Sequence, residues 1–368
     1  MTTSNWQARL FFEYENLLNE SSNKFKLNDL LILSQDTIGF KPYATATTVE
    51  RQVENFARNH NIWIEDRAVD YNTMTAYLHP STVDNQRLYL LGGYYAILFF
   101  IDDVIGNEFR SNMTLDEQDK ADQEMGIVMS FIETGKKSQQ HSRLLAPIIE
   151  ILNGFSILAP SEWLDYFLQF TKQHLTLAVD DLNSESLGYI TPEQYVEMRN
   201  HVSGMYPAIL MMEFANDSYL PRSVLNNMGL LNDIERLEYL CAAIGGLVND
   251  FFSFEKEVLD AQSDFNIIPI MMRHEQLSLE ESIYIAANYT NSLYCEYKQL
   301  AMDIRKKVQL YKWGSTVTKY LDAMNDCNQA VWVWQIDTNR YDRETSIFSE
   351  LQGIAPNYHE LERLQYLS

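Results

Sequence analysis

Apolar residues recur along this chain with the period of an α-helix, and short polar connections separate the periodic stretches. The stretch that begins at residue 317 is the clearest example, with apolar positions at Val317, Tyr320, Leu321, Met324 and Val331. This spacing places them on one face of a helix. The strict alternation that is typical of a half-buried strand is nowhere sustained. The pattern therefore predicts an all-α protein with about ten helices.

Local sequence also predicts where helices begin and where the chain turns. Residues 191–194, Thr-Pro-Glu-Gln, combine an N-cap, a first-turn proline and a capping-box partner, and residues 278–281 repeat the capping box. Turns are predicted at residues 134–138, 183–188 and 216–222. Because no repeat, low-complexity tract or linker divides the chain, we expect one domain. It would span residues 1–368, with residues 1–60 and 346–368 as peripheral or capping segments.

The most apolar segment spans residues 88–101 and runs directly into Asp102 and Asp103. At this length it is too short to cross a bilayer, so we interpret it as a buried core helix. The N-terminal residues mix charges with aromatic residues and lack the apolar core and cleavage site of a secretory signal. We therefore expect a cytoplasmic protein without a membrane span.

Composition narrows the range of partners. A net charge of -23 over 368 residues repels nucleic acid and anionic membrane surfaces. An anionic substrate would need cations supplied locally, either as metal ions or as a few basic side chains. The three cysteines, Cys241, Cys295 and Cys327, are too few and too widely spaced for a disulfide framework or a zinc knuckle.

The strongest chemical signal lies in residues 249–257, which read Asn-Asp-Phe-Phe-Ser-Phe-Glu-Lys-Glu. Asn249, Ser253 and Glu257 are four residues apart and form one narrow polar stripe on a helix. An amide oxygen, a hydroxyl and a carboxylate suit Mg²⁺, which prefers hard oxygen ligands. The alternative is an ordinary solvated helix face. Apolar and aromatic flanking residues argue against that alternative.

A second acidic site closes the apolar segment at Asp102 and Asp103. Paired carboxylates at the end of a buried helix repel each other and lose solvation unless a cation neutralises them. The alternative is that the helix simply emerges into solvent at this point. Asp180 and Asp181 serve as a comparison, because they stand in a polar turn and are interpreted as surface residues.

These two motifs, about 150 residues apart in this order, make the chain resemble the class I terpene synthases in their microbial form. In that family an aspartate-rich motif and an Asn-Asp-x-x-Ser-x-x-(Arg/Lys)-Glu motif face each other across a central pocket and hold three Mg²⁺ ions on a diphosphate; Mn²⁺ is a substitute ion. The resemblance implies a helical bundle of the class I terpenoid synthase type. The metal ligands that it implies are Asp102, Asp103, Asn249, Ser253 and Glu257, with Glu108 as a further candidate.

Two more segments share this resemblance. Residues 195–204 resemble the segment that carries a diphosphate-sensing arginine, Arg199, followed by a helix break with Ser203 at the effector position. Arg340 and Tyr341 resemble the family's terminal Arg-Tyr pair. The resemblance implies diphosphate binding by Arg199, Asn249, Lys256, Arg340 and Tyr341. It implies catalytic roles for Asp102, Arg199, Ser203, Arg340 and Tyr341.

The implied reaction is the Mg²⁺-dependent ionisation and cyclisation of farnesyl or geranylgeranyl diphosphate to a cyclic hydrocarbon or alcohol, with a slight preference for the larger substrate. Aromatic faces would shield the carbocation, and the candidates for this lining are Tyr95, Phe99, Trp332 and Trp334. For each of them taken alone, plain core packing is the more common role. The alternatives are a chain-elongating prenyl diphosphate synthase and a non-catalytic isoprenoid-binding protein. A homodimer is compatible with the family.

Overall fold

The computed structural model describes residues 3–20, 25–106, 113–177, 190–356 and 366. Within these ranges the chain forms α-helices and no β-strand, and two isolated β-bridges join Phe25 to Phe348 and Arg343 to Gln352. The predicted all-α fold is confirmed. The helices are α1 (Thr3–Asn19), α2 (Leu27–Leu30), α3 (Ala46–Asn59), α4 (Ala68–Asn72), α5 (Met74–Leu78), α6 (Asn85–Phe100), α7 (Leu115–Thr134), α8 (Leu145–Leu158), α9 (Ser161–Leu177), α10 (Pro192–Val202), α11 (Met205–Ala215), α12 (Arg222–Asn227), α13 (Leu231–Phe254), α14 (Ile267–His274), α15 (Leu279–Val308) and α16 (Gly314–Asp337).

Local signals in the sequence predict several helix ends correctly. Both capping boxes form, with Thr191 and Ser278 as N-caps and Gln194 and Glu281 as their partners. The turn at residues 134–138 begins at Gly135, whose φ of +66° is readily adopted by glycine. The turn predicted at residues 183–188 lies outside the described residues. Short helices such as α2, α4 and α5 make the helices more numerous than predicted.

Helix α13 forms the centre of the bundle and packs against α10, α11, α15 and α16. Two glycines of α13 allow α10 and α11 to pack closely against it. A Cβ on Gly246 would lie 3.0 Å from Cγ of Arg199, and one on Gly245 would lie 2.6 Å from the methyl carbon of Met205. The small residues thus let Arg199 lie directly against α13.

Helix α6 packs against α3, α8 and α11. Together with the turn that continues it, this helix covers Asn85–Ile105, which is apolar and long enough to cross a membrane by length and composition. The expectation that it is too short is therefore wrong, because the helix extends beyond both ends of the apolar segment. Its most apolar part is 72% buried inside the protein, as expected for a core helix.

Both α6 and α13 end in a π-helical turn, which contains one more residue than an α-helical turn. Ile101–Ile105 continues α6, and the N–H of Gly106 donates to the carbonyl oxygen of Ile101 at 2.7 Å. Glu255–Asp260 continues α13 in the same way. These turns carry Asp102 and Asp103 on one helix and Glu257 on the other.

The described segments near both ends of the chain pack against each other and against residues at the end of α13. Leu10, Tyr14 and Leu17 of α1 are buried in the main core, as is Phe348 near the other end. The carboxylate of Glu350 accepts hydrogen bonds from the N–H groups of Leu27 and Asn28, both at 3.0 Å. The peripheral or capping role of residues 1–60 and 346–368 stays a prediction, as does the division into one domain.

Candidate active site

Asn249 lies near the end of α13 and is held by hydrogen bonds from three directions. Its Oδ1 accepts from Nη2 of Arg199 at 2.7 Å. Its amide nitrogen donates to Oε1 of Gln335 at 2.8 Å and to the hydroxyl of Tyr341 at 2.9 Å. These partners belong to α10, to α16 and to the short 3-10 turn at Asn339–Tyr341. The orientation of the amide is therefore fixed before any ligand binds.

Asp250 follows Asn249 but is fully buried on another face of α13. Its carboxylate accepts hydrogen bonds from the hydroxyl of Tyr195 at 2.5 Å and from the N–H of Ile267 at 3.0 Å. Nε of Arg199 lies 2.9 Å from its other oxygen. Burial raises the pKa of Asp250, and the positive charge of Arg199 opposes this effect. The buried carboxylate of Asp250 thus fixes the position of the Arg199 guanidinium group.

Ser253 and Glu257 are the other two residues of the stripe predicted from the sequence, but Glu257 already lies in the π-helical turn that follows α13. Ser253 is fully buried, and its hydroxyl has no hydrogen-bond partner among the described residues. Glu257 is half-buried and lies, together with Lys256, in the wall of a central cavity. A buried hydroxyl without a partner is uncommon, because leaving it unpaired costs about 1–3 kcal/mol.

The two aspartates at the end of α6 have different surroundings. Asp102 is exposed and lies in the wall of the same central cavity. Asp103 is only 1% exposed, and its carboxylate accepts a hydrogen bond from Tyr71 at 3.1 Å. The other oxygen of Asp103 lies 3.8 Å from Nη2 of Arg340 and 3.9 Å from Nη1 of Arg67. Glu108 lies outside the described residues, as do Asp180 and Asp181.

The central cavity has a volume of about 260 Å³. It brings residues of both motifs together with three basic side chains. Such local positive charge is what an acidic protein needs in order to bind an anionic substrate. The polar and charged residues of the wall that were predicted from the sequence are Asp102, Arg199, Ser203, Asn249, Lys256, Glu257, Arg340 and Tyr341. Apolar and aromatic residues form the rest of the wall, among them Leu78, Tyr95, Leu98, Phe99, Met205, Ala208, Phe265, Val331 and Trp334.

Arg199 and Arg340 remain charged although both are buried. Burial alone lowers the pKa of Arg199, but the nearby carboxylates of Asp250, Glu257 and Asp102 outweigh this effect and raise it. Burial alone also lowers the pKa of Arg340. The negative charge of Asp103 contributes most to outweighing this effect, and the pKa of Arg340 is raised well above its ordinary value. The site therefore concentrates positive charge inside a protein whose net charge is -23.

Residues 94–296, more than half of the chain, match the family model described as terpene synthase family 2, C-terminal metal binding. The chain belongs to this terpene synthase family. It is a class I terpene synthase of the microbial type, as the two motifs indicate. Since the family binds metal through this domain, a divalent metal is implied for the enzyme.

Characterised relatives and solved structures agree with this assignment. A 10-epi-cubebol synthase of Sorangium cellulosum is 22% identical over 279 residues, which cover 75% of this chain and 84% of the relative. A germacrene A synthase of Nostoc punctiforme is 23% identical over 186 residues, 50% of this chain and 55% of that protein. The structure of an α-eudesmol synthase superposes with a TM-score of 0.69 at 15% identity, covering 82% of this chain and 97% of the other. The structural likeness confirms the fold.

The terpene synthase has the helix break that its sequence predicts after Arg199. Helix α10 ends at Val202, and Gly204, with a φ of +70°, starts α11. The hydroxyl of Ser203 lies 3.4 Å from the amide nitrogen of Met205 and from the carbonyl oxygen of Asn200. Ser203 therefore bridges the two helix ends in the wall of the cavity.

The aromatic residues predicted to line the pocket divide into two groups. Tyr95, Phe99 and Trp334 lie in the wall of the cavity. Trp332 instead packs edge-on against Phe252, with ring centroids 5.4 Å apart. Because Trp332 and Trp334 are two positions apart on α16, they point to different faces of the helix.

Several residues at the site carry no recognisable signal in the sequence. Tyr71 stacks on Phe99 at 4.2 Å, and its hydroxyl bonds to Asp103, so it joins the aromatic wall to the acidic motif. Gln335 and His174 also line the cavity. Tyr71 and Gln335 could be recognised only from their partners across the fold.

Glu255, inside the second motif, is also absent from the sequence-based prediction of the site. It is 1% exposed and accepts hydrogen bonds from the hydroxyls of Tyr14 and Ser346, both at 2.7 Å, and from the N–H of Ile347 at 2.9 Å. Glu255 thus ties α1 and the C-terminal segment to the turn that bears Glu257.

The oxygen atoms near the cavity fit a divalent metal. The described residues include no group of three or more His, Cys, Asp and Glu side chains placed to hold a metal. The candidate ligands are a mixed set with an amide and a hydroxyl beside the carboxylates, which suits Mg²⁺ better than zinc. The unpaired hydroxyl of Ser253 supports this fit, since a cation would supply the partner that it lacks.

Proposed function

We propose that this terpene synthase ionises a prenyl diphosphate in the presence of Mg²⁺, cyclises the carbocation and releases diphosphate. One observation carries the proposal. Asp102, Asn249 and Glu257 share a single cavity with three basic side chains and with an aromatic wall. A cavity of this composition can hold a diphosphate beside its charged residues and shield an apolar cation beside its aromatic ones.

The proposed metal ligands are Asp102, Asn249, Ser253 and Glu257, with three Mg²⁺ ions expected by analogy with the family and Mn²⁺ as a substitute. When bound, the metal neutralises the charge that develops on the leaving diphosphate. The contacts of Asp103 with Tyr71, Arg67 and Arg340 favour another role for it: it orients Arg340.

The chain's own residues would bind and orient the diphosphate. Arg199 and Arg340 present planar guanidinium groups, which suit phosphate oxygens, and Lys256 adds a third positive charge. The hydroxyl of Tyr341 is held by Asn249 at 2.9 Å and lies in the same wall. Tyr95, Phe99 and Trp334 would face the cation with π electrons, which attract it without trapping it covalently.

We propose farnesyl diphosphate rather than geranylgeranyl diphosphate as the substrate. A volume of about 260 Å³ lies just below the ~300–1,000 Å³ typical of ligand pockets. A relative from Cyclocybe aegerita, 26% identical over 156 residues, is named a sesquiterpene synthase. We therefore revise the slight preference for the larger substrate and propose a cyclic sesquiterpene hydrocarbon or alcohol as the product.

Two other functions are less consistent with the site. A chain-elongating prenyl diphosphate synthase normally carries a second aspartate-rich motif, in the place that the Asn249 motif occupies here. A non-catalytic isoprenoid-binding protein would have no need for Arg199 and Arg340, whose burial costs desolvation energy. Cytoplasmic location and a homodimer stay predictions.

The test is incubation of the purified enzyme with geranyl, farnesyl and geranylgeranyl diphosphate, with Mg²⁺, with Mn²⁺ or with a chelator. Diphosphate release and the extracted products are measured separately. We expect release of diphosphate and a cyclic product from farnesyl diphosphate, and neither after chelation. A longer prenyl diphosphate as product, or binding without turnover, would contradict the proposal.

A further inference from the structure

His174 is a residue of the cavity wall to which neither motif assigns a role. It lies in the last turn of α9 and is only 7% exposed. Its ring lies beside the break between α10 and α11, where Gly204 separates the two helices. Imidazole is a much stronger base than the aromatic rings beside it. In a cavity that holds a carbocation, it can therefore accept a proton where they cannot.

One hydrogen bond determines which nitrogen of His174 carries the proton. Nδ1 lies 2.7 Å from the main-chain carbonyl oxygen of His201. A carbonyl oxygen can only accept, so Nδ1 is the donor and the neutral ring has its lone pair on Nε2. Burial lowers the pKa of His174, which favours this neutral form.

The surroundings of Nε2 show where this lone pair is available. A Cβ built on Gly204 would lie 3.7 Å from Nε2 of His174 and 3.8 Å from a methyl carbon of Leu98. His174, Gly204 and Leu98 all belong to the cavity wall. Nε2 thus lies beside Gly204, in a part of the cavity wall that Leu98 makes apolar.

The other buried histidine near the cavity has a different arrangement. Nε2 of His79 lies 2.9 Å from the hydroxyl of Tyr95, so this nitrogen is already engaged. Burial lowers the pKa of His79 to about 3. His79 contacts Tyr95 and is not part of the cavity wall, so that among the described residues His174 is the imidazole that lines the cavity.

We propose that His174 is the base that ends the reaction, an inference that rests on the proposed function. A C–H bond beside the cationic carbon breaks, its electron pair forms the new C=C bond, and the proton passes to Nε2. Nδ1–H keeps its hydrogen bond to His201 throughout. The imidazolium then returns the proton to water or to the released diphosphate. The product of this step is an alkene.

The experiment compares the wild-type enzyme with His174→Phe and His174→Gln, using diphosphate release and product composition as separate readouts. Diphosphate release is recorded for each variant to show that it folds and ionises the substrate, because ionisation precedes the proposed step. The share of the main alkene should fall at least about tenfold, in favour of alcohols or of alkenes formed from earlier cations. The matched control is His201→Gln, which removes a neighbouring imidazole but keeps the main-chain carbonyl; its product composition should not change.

An unchanged product composition in both His174 variants would overturn the inference. A wild-type enzyme that releases no diphosphate from any of the three substrates would remove the proposed function and this inference together. If neither variant folds, the nitrogen chemical shifts of ¹⁵N-labelled histidine in the wild-type protein decide the point. A His174 that carries its proton on Nδ1 supports the inference, and one protonated on Nε2 contradicts it.

Discussion

The two motifs of this enzyme stand at the ends of two helices, but the protein holds them in opposite ways. Asn249 and Asp250 are fixed by hydrogen bonds and an ion pair from α10, α14, α16 and the 3-10 turn after it. At the end of α6, Asp102 is exposed while Asp103 is buried among Tyr71, Arg67 and Arg340. The Asn249 motif, called the rigid motif below, is thus fixed before substrate binds. The other motif presents one exposed carboxylate, Asp102, beside a buried one, Asp103, that is held by its neighbours.

This difference shows how an acidic protein can gather charge without losing stability. In the rigid motif, each buried polar group except Ser253 has a partner that offsets its desolvation. In the other motif, the support is an ion pair between Asp103 and Arg340, and the working carboxylate stays in contact with solvent. Substitutions in the two regions should therefore differ in what they change, activity alone or activity together with folding.

The largest effect is expected for Asn249→Leu. The change removes a proposed ligand and leaves Arg199, Gln335 and Tyr341 without their shared partner, so diphosphate release should fall by about 10³-fold or more. The melting temperature should also fall, since each unpaired buried group costs about 1–3 kcal/mol. Asn153→Leu, at an exposed position of α8, is the matched control and should change neither quantity. Activity within a few-fold of wild type would contradict the site.

Asp102→Ala and Asp103→Ala test the comparison directly. Asp102→Ala should lower kcat by about 10²-fold with an unchanged melting temperature, because the side chain is exposed. Asp103→Ala leaves two arginines without their buried partner and should destabilise the fold by about 3 kcal/mol. Calorimetry and diphosphate release measured on both variants decide the matter. Equal loss of stability in the two variants would contradict the difference described between the exposed Asp102 and the buried Asp103.

Ser253→Ala isolates the one unpaired group of the rigid motif. No hydrogen bond among the described residues is lost, so the free energy of unfolding without metal should change by less than about 0.5 kcal/mol. Turnover should fall by about tenfold or more if the hydroxyl binds metal. Chemical denaturation and an Mg²⁺ titration of activity measure the two effects. A strong loss of stability without metal would reveal a structural partner for the hydroxyl instead.

The smallest effect is expected for Tyr14→Phe, which removes one of three hydrogen bonds to Glu255. We expect a loss of about 1 kcal/mol in unfolding free energy and a kcat within about twofold of wild type, because Ser346 and Ile347 still hold the carboxylate. Tyr43→Phe, at the half-buried partner of Asn85, serves as the control. A large fall in kcat would show that α1 helps to place Glu257.

Sequence identifies the rigid motif almost completely, because its chemistry follows from residue types at helical spacing. The same pattern does not distinguish neighbouring residues on α6, which is buried nearly all round. Tyr94 contacts Thr171 and Phe167. Tyr95 instead contacts His79 and lies in the wall of the cavity. Periodicity cannot separate the faces of a helix when each of them is apolar.

What sequence could not provide are contacts between distant segments. The contact between Asp103 and Arg340 depends on how the end of α16 meets the end of α6. The base proposed here depends on a carbonyl oxygen of α10 that faces α9. Main-chain groups are the same at every position, so nothing in the amino-acid sequence marks that partner. Burial of Trp332 and exposure of Trp334 to the cavity follow from the same tertiary packing.

The π-helical turns that carry Asp102, Asp103 and Glu257 have a consequence for the history of the enzyme. A π turn contains one residue more than the α-helical turn that it replaces. Loss of one residue on the C-terminal side of these carboxylates would restore regular helix and shift only the chain that follows. Single-residue deletions and insertions in the connections could therefore accumulate in a lineage while the carboxylates kept their register with the substrate.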